Sequence, residues 1–185
     1  MAQTPSNMID LGTLAPGFTL PDPHGKRYSR DELAGKYGLL VVFYCNHCPF
    51  VKHIRDKFAE VAATYMDKGI GVVAINSNDV ANYPEDAPEK MAEESRRYGY
   101  RFPYLYDETQ QVARDYGAAC TPDFFLFDAG LKLVYRGQFD DSRPGNDVPV
   151  TGTDLVNAMD AIIRGEQPPV HQKPGIGCNI KWKSG

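Results

Sequence analysis

The sequence predicts an α/β fold with a mixed central sheet and helices on both faces. Three observations predict it. Two continuous apolar runs, 38–44 and 70–76, have the composition of strands buried on both sides. A stretch of helical periodicity from Pro49 to about Asp67 joins them, and a strand–helix–strand unit implies parallel pairing with a right-handed crossover. Further on, 124–127 and 132–135 flank an Asp-Ala-Gly turn, a hairpin signature that adds antiparallel strands.

The elements follow in chain order. Short strands are expected at 18–20 and 26–28 around a His24-Gly25 turn. Ser29 followed three residues later by Glu32 is a capping-box signal for a short helix. In the long helix, Phe50, Ile54 and Phe58 recur every four residues, and Val61, Ala62 and Tyr65 continue the same face until Lys68-Gly69 ends it. Pro88 opens a helix that runs to about Tyr98. A strand over 102–106 and a short helix over 110–116, closed by Gly117, come next. After a Pro/Gly-rich loop at 141–152, a last helix covers about 153–164, with Leu155, Val156, Met159, Ile162 and Ile163 at helical spacing. Residues 166–185 are rich in Pro and Gly and are expected to run extended over the surface, with the Ile-Gly-Cys-Asn-Ile-Lys-Trp stretch apolar enough to dock.

A chain of 185 residues fits one domain with a full core, here about 9–165 plus the tail. There is no internal repeat and no low-complexity tract. The net charge of −4 comes from interspersed acids and bases, so no basic face argues for nucleic acid or an anionic membrane. The N-terminus lacks the charged start and apolar run of a secretory signal, and no apolar run is long enough to span a bilayer. The expectation is a cytoplasmic protein. In a reducing compartment the four cysteines, Cys45, Cys48, Cys120 and Cys178, are not expected to form a disulfide framework.

Cys45-Asn46-His47-Cys48-Pro49 is a C-x-x-C motif at a strand–helix junction, a spacing that points to dithiol–disulfide chemistry. Pro49 gives the physical reason. Proline is favoured as the first helical residue, where its missing N–H would be unpaired anyway. Cys48 then falls at the N-cap, facing free backbone N–H groups and the positive end of the helix dipole. Both favour a thiolate, and such cysteines have pKa values down to roughly 3.5–7.5. His47 or Lys52 could add positive charge. Cys45, at the strand end, feels less of this field, so Cys48 is the expected nucleophile and Cys45 its partner.

Ala15-Pro16-x-Phe18-x-Leu20, the strand–Cys–helix unit, and Tyr116-Gly117…Thr121-Pro122…Phe125-Leu126-Phe127 resemble the thioredoxin-like superfamily, and within it the peroxiredoxin-like (alkyl hydroperoxide reductase/thiol-specific antioxidant, or redoxin) branch. The resemblance covers about 9–165. Aligned without a gap on the usual F-W-A-x-W-C-x-x-C pattern, the first family cysteine falls on Cys48 and the second on Val51, so Cys45 lies three residues upstream of the usual nucleophile. The resemblance implies that Pro122 is a cis-proline beside the reactive sulfur, and that Thr121 offers backbone groups to a substrate. It also implies that Cys120 lies near Cys48 as a second candidate resolving thiol. The peroxiredoxin pattern P-x-x-x-[TS]-x-x-C has Val41 and Cys45 where it needs Pro and Thr or Ser.

The expected activity is thiol–disulfide exchange without a cofactor. Cys48 is the nucleophile, Cys45 or Cys120 the resolving thiol, and Thr121, Pro122, Pro49 and His47 line the substrate site; a fold-back of Cys178 to resolve Cys48 stays open. Partners would be a disulfide-containing protein or a small thiol or peroxide, and a cellular dithiol reductant. Hydroperoxide reduction through a Cys48 sulfenic acid is the alternative, and a non-catalytic redox-sensing or binding module a third reading. A zinc site would need His47 or His53, Cys120 and Cys178 to join the motif; no second matched ligand pair is present, so no metal is expected. His53 reads as a solvated or capped residue, and Tyr44 and Phe50 as site walls or core.

Overall fold

The structure, a computed structural model, describes residues 3–185. After strand β1 (Gln3–Pro5), the hairpin β2 (Thr19–Pro21) and β3 (Arg27–Ser29) leads into helix α1 (Arg30–Leu33). Its expected capping box forms: Ser29 Oγ accepts from Glu32 N, and the Glu32 carboxylate accepts from Ser29 N at 2.7 Å. Strand β4 (Gly38–Phe43), helix α2 (Pro49–Asp67) and strand β5 (Ile70–Asn76) follow, with β4 and β5 parallel. A 3-10 turn (Pro84–Asp86), helix α3 (Pro88–Tyr98), strand β6 (Tyr104–Tyr106) and helix α4 (Gln111–Tyr116) complete the middle of the chain. The last third contains β7 (Cys120–Thr121), the hairpin β8 (Asp123–Asp128) and β9 (Leu133–Gly137), helix α5 (Thr153–Ile163) and β10 (Ile176–Asn179).

The main sheet has five strands in the order β6-β5-β4-β8-β9. The first three are parallel, and β8 and β9 run antiparallel to their neighbours, which makes the sheet mixed. Strand alternation sorts β4 into two cores. Leu40 and Val42 face a layer with Phe58 of α2, Met91 of α3, and Leu155 and Met159 of α5. Leu39, Val41 and Phe43 face Phe18, Val112 and Tyr116, with Leu33 of α1 packed alongside. Phe58 is fully buried against Tyr44, Phe102, Phe124 and Phe139. Helices therefore cover both faces, as expected.

Three local expectations shift. The strand expected over 102–106 begins at Tyr104, because Pro103 has no N–H to give to the ladder, although its carbonyl accepts from Ala74 N. The helix expected from 110 begins at Gln111, since Gln110 is left-handed at φ 65°. The tail does more than lie on the surface. Ile176–Asn179 is the middle strand of a second sheet in the order β1-β10-β7, and Cys178 and Ile180 are buried. No helix among the described residues is long and apolar enough to cross a membrane.

Candidate active site at the strand–helix junction

Cys48 is the N-cap of α2 and Pro49 its first residue, as the sequence requires. The Cys48 backbone is extended at φ −69°, ψ 126°, the conformation of a helix N-cap. Opposite stands the Thr121–Pro122 peptide, which is cis. Cys48 Sγ lies 3.3 Å from the Thr121 carbonyl oxygen and 2.7 Å from Cys178 Sγ. Cys45 Sγ lies 3.4 Å from Thr121 Oγ1. All four cysteines are free and buried.

The electrostatics separate the four thiols. Cys48 is held well below the ordinary thiol range. The thiol hydrogens of Cys178 and then Cys45 favour its ionised form, and the Val51 N–H of the first helical turn adds to this against the cost of burial. When protonated, Cys48 can instead give its hydrogen to the Thr121 carbonyl. Cys45 is pushed up, first by burial and then by its bond to Cys48. Cys178 is pushed up first by its bond to Cys48 and then by burial, while Lys181 works in the opposite direction. Burial likewise pushes up Cys120.

The structure brings together Cys45, Cys48, Thr121 and Pro122. It adds Cys178 and leaves Cys120 out of direct contact with Cys48. Adjacent residues of a strand point to opposite faces. Thr121 faces the site, so Cys120 turns away, with Pro122 O at 3.7 Å from its sulfur and Asp123 as the next charge. Cys178 arrives because β10 pairs antiparallel with β7, with Cys178 opposite Thr121. Gly177 permits that approach: a Cβ there would stand 2.1 Å from the Thr121 carbonyl oxygen.

His47 is committed elsewhere. Its Nδ1 pairs with Asp86 Oδ2, and its ring stacks on Tyr83 at 5.6 Å and 14°. The Asp86 bond raises its pKa above the usual histidine range against partial desolvation. Asp86 is fully buried and also accepts from the backbone N–H groups of Asn46 and His47 and from Asn78 Nδ2. No motif announces Asp86; it belongs to a Pro-Glu-Asp turn of ordinary composition. Cys45, His47 and Asp86 offer ligand atoms within 4.8 Å of one another. Cys45 and His47 belong to the set weighed in the sequence and Asp86 does not, and the Asp86 oxygens already accept four hydrogens. Pro49 is exposed at the site rim. His53 lines a cavity with Phe50, Pro122 and Ile176, its Nε2 2.7 Å from Ser142 Oγ, and Tyr44 is core, its hydroxyl 3.0 Å from that of Tyr100.

A thiol at the start of a helix, set against a cis-proline loop beside a mixed sheet, defines a thioredoxin-like protein. The chain belongs to the AhpC/TSA family, whose profile matches residues 11–136. It is similar to the thiol-disulfide oxidoreductase ResA of Geobacillus thermodenitrificans (strain NG80-2), 28% identical over 130 residues and covering 70% of each chain. The crystal structure of an uncharacterized conserved protein from Geobacillus kaustophilus matches it with 51% identity and a TM-score of 0.98, over 100% of this chain and 98% of that one. A hypothetical protein from Sinorhizobium meliloti 1021 matches with 52% identity and a TM-score of 0.97, over 98% and 100%.

Proposed function

We propose that the protein is a thiol–disulfide oxidoreductase with Cys48 as its nucleophile. The observation that carries this reading is the Cys48 sulfur, at the N-cap of α2 and 2.7 Å from a second thiol. A lone structural cysteine needs neither feature. The chemistry is a two-step exchange. The Cys48 thiolate attacks one sulfur of a substrate disulfide, forming a mixed disulfide and releasing the other substrate sulfur as a thiolate. A neighbouring thiol of this chain loses its proton and attacks the Cys48 sulfur. That step releases the second substrate thiolate and leaves an internal disulfide. Two electrons have passed from the protein to the substrate, and an external dithiol returns them. The substrates are of the disulfide or thiol class. The similarity to ResA, a thiol-disulfide oxidoreductase, supports the assignment.

The test is catalysed reduction of insulin by a dithiol, read as chain precipitation. The wild-type protein is expected to accelerate it, and Cys48→Ser to reduce the acceleration by at least ~100-fold. Ordinary thiol titration of Cys48 near 8.5, or a Cys48→Ser variant as active as wild type, would refute the reading. Fast peroxide consumption with a sulfenate trapped at Cys48, and no disulfide exchange, would point to peroxidase chemistry instead.

A further inference from the structure

The site contains three thiols in a row, and the third comes from the end of the chain. We propose that Cys178 is the resolving thiol of the exchange cycle, carried on a strand that also covers the nucleophile. This rests on the exchange reading above and adds a catalytic residue, a disulfide and an access step to it.

Geometry comes first. Cys178 Sγ stands 2.7 Å from Cys48 Sγ, so a bond of about 2.05 Å needs only a small closing movement. Cys45 belongs to the segment between β4 and α2, fully buried, with its sulfur against Thr121 Oγ1. Cys120 turns to the other face of β7. Cys178 is carried on β10, the middle strand of the second sheet, and of the three candidate partners it alone comes from the C-terminal tail.

The timing of the chemistry also favours Cys178. The largest cause holding its proton is the bond to ionised Cys48. Once Cys48 is in a mixed disulfide, that negative charge is gone and the cause disappears. Lys181, three residues on, still favours the Cys178 thiolate. For Cys45 the largest cause is burial, which persists through the cycle. Consuming the nucleophile therefore removes the largest cause at Cys178 and only the second at Cys45, while burial remains at both.

The same strand controls entry. Cys48 is 0% exposed and Cys178 3% exposed, so a substrate disulfide cannot reach Cys48 with β10 in place. The strand is held on either side of the site. Gly175 N donates to Ser6 Oγ, Lys181 N donates to Asn78 Oδ1, and Gln110 Nε2 donates to Lys181 O. Between these ties, residues 176–179, with β1 paired to their other edge, must bow away from Thr121 to admit a substrate and must return to deliver Cys178. The electron balance is that of the exchange: the Cys178 thiol loses a proton, its sulfur displaces the substrate thiolate from Cys48, and the Cys48–Cys178 disulfide holds the oxidising equivalents.

The test uses the full chain, oxidised dithiothreitol and an aromatic small disulfide that reports each released thiolate by absorbance. Wild type is expected to release two thiolates per molecule and to yield a Cys48–Cys178 peptide by mass spectrometry. Cys178→Ser is expected to release one and to stop as a mixed disulfide on Cys48, its resolution slowed at least ~100-fold for want of the adjacent thiol. Cys178→Ala serves if the serine variant fails to fold. Gly177→Ala keeps every cysteine but cannot keep the strand against Thr121. Its first thiolate release is expected to rise about 10-fold, as strain of this kind lowers the cost of local opening. A Cys45–Cys48 disulfide in wild type, or resolution in Cys178→Ser at the wild-type rate, would overturn the proposal and leave the exchange reading standing. No adduct on Cys48 in any variant would instead defeat the exchange reading itself. An unchanged first step in Gly177→Ala would remove the covering role.

Discussion

The two sheets that meet at Cys48 are built in opposite ways. The five-stranded sheet has strands buried on both faces, joined by helices that pack against it. The three-stranded sheet joins residues 3–5, 120–121 and 176–179, strands brought together from far along the chain, and its outer strand β1 is largely exposed. The first holds Cys45 and Cys48 in a packed frame. The second lays Cys178 over them with backbone hydrogen bonds and close glycine contacts, and its apolar burial is confined to Cys120, Cys178 and the adjoining Ile180. Exchange chemistry needs this asymmetry. The nucleophile must keep its place at the helix mouth, and the thiol that follows it must be able to leave and return.

The largest expected effects test the rigid half. Phe58→Ala would empty the centre of the aromatic cluster between α2 and the sheet, and should cost about 3–5 kcal/mol of global stability in urea unfolding. In native-state hydrogen exchange the Val41 and Val73 amides should follow that loss, because they open only with the whole fold. The amides of Cys178 and Asn179 should exchange by local opening and change much less. If all four fell together, the two sheets would be one cooperative unit and the contrast would fail.

Asp123 lies at the boundary between the halves. It starts β8 opposite Phe43, with Oδ2 accepting from Ala119 N, and burial pushes its pKa up to about 7. The sign follows from linkage. Unfolded, the carboxyl ionises near 3.9, while in the fold it keeps its proton until about 7. The stability this group contributes is full below about pH 4, falls as pH rises toward 7, and is constant above. Asp123→Asn removes the penalty. The variant should gain on wild type across that window, by about 4 kcal/mol at most, in unfolding curves at pH 4, 6 and 8. A stability difference independent of pH would show that Asp123 is ionised in the fold.

What the sequence revealed followed the same division. Strands β4 and β5 and helix α2 were legible because their signals are local: apolar runs, a four-residue period, a proline after a cysteine. The cis Thr121–Pro122 peptide and its position near Cys48 came from the resemblance. Strand β1 carried no signal, since Gln3–Pro5 is short, polar and half-exposed. For β10 the sequence showed an apolar stretch able to dock but not where, because its register against β7 depends on residues more than fifty positions away. Cys120 was expected beside Cys48 on its nearness to Pro122, and the alternation of a two-residue strand turned it aside. Asp86 was invisible for the same long-range reason: its partners Asn46 and His47 lie about forty residues earlier.

The smallest expected effect concerns that last pair. His47 sits between the two motif cysteines, yet its ring is tied to Asp86 and stacked on Tyr83, so its charge serves the buried carboxylate before it serves a thiol. Its folded pKa is raised. The stability it contributes is therefore full below the unfolded value of about 6.5 and is lost as pH rises through the folded value. His47→Asn should destabilise the fold at pH 6, because it leaves the buried Asp86 carboxylate without its cationic partner, and progressively less in alkaline solution. The Cys48 thiolate absorbance should titrate almost where it does in wild type, because its lowering comes from Cys178, Cys45 and the Val51 amide. A large upward shift of Cys48 in His47→Asn would make the imidazole a direct electrostatic partner of the sulfur. The frame at the helix mouth would then tune the nucleophile through histidine, as the sequence first implied, in addition to the arm that brings Cys178.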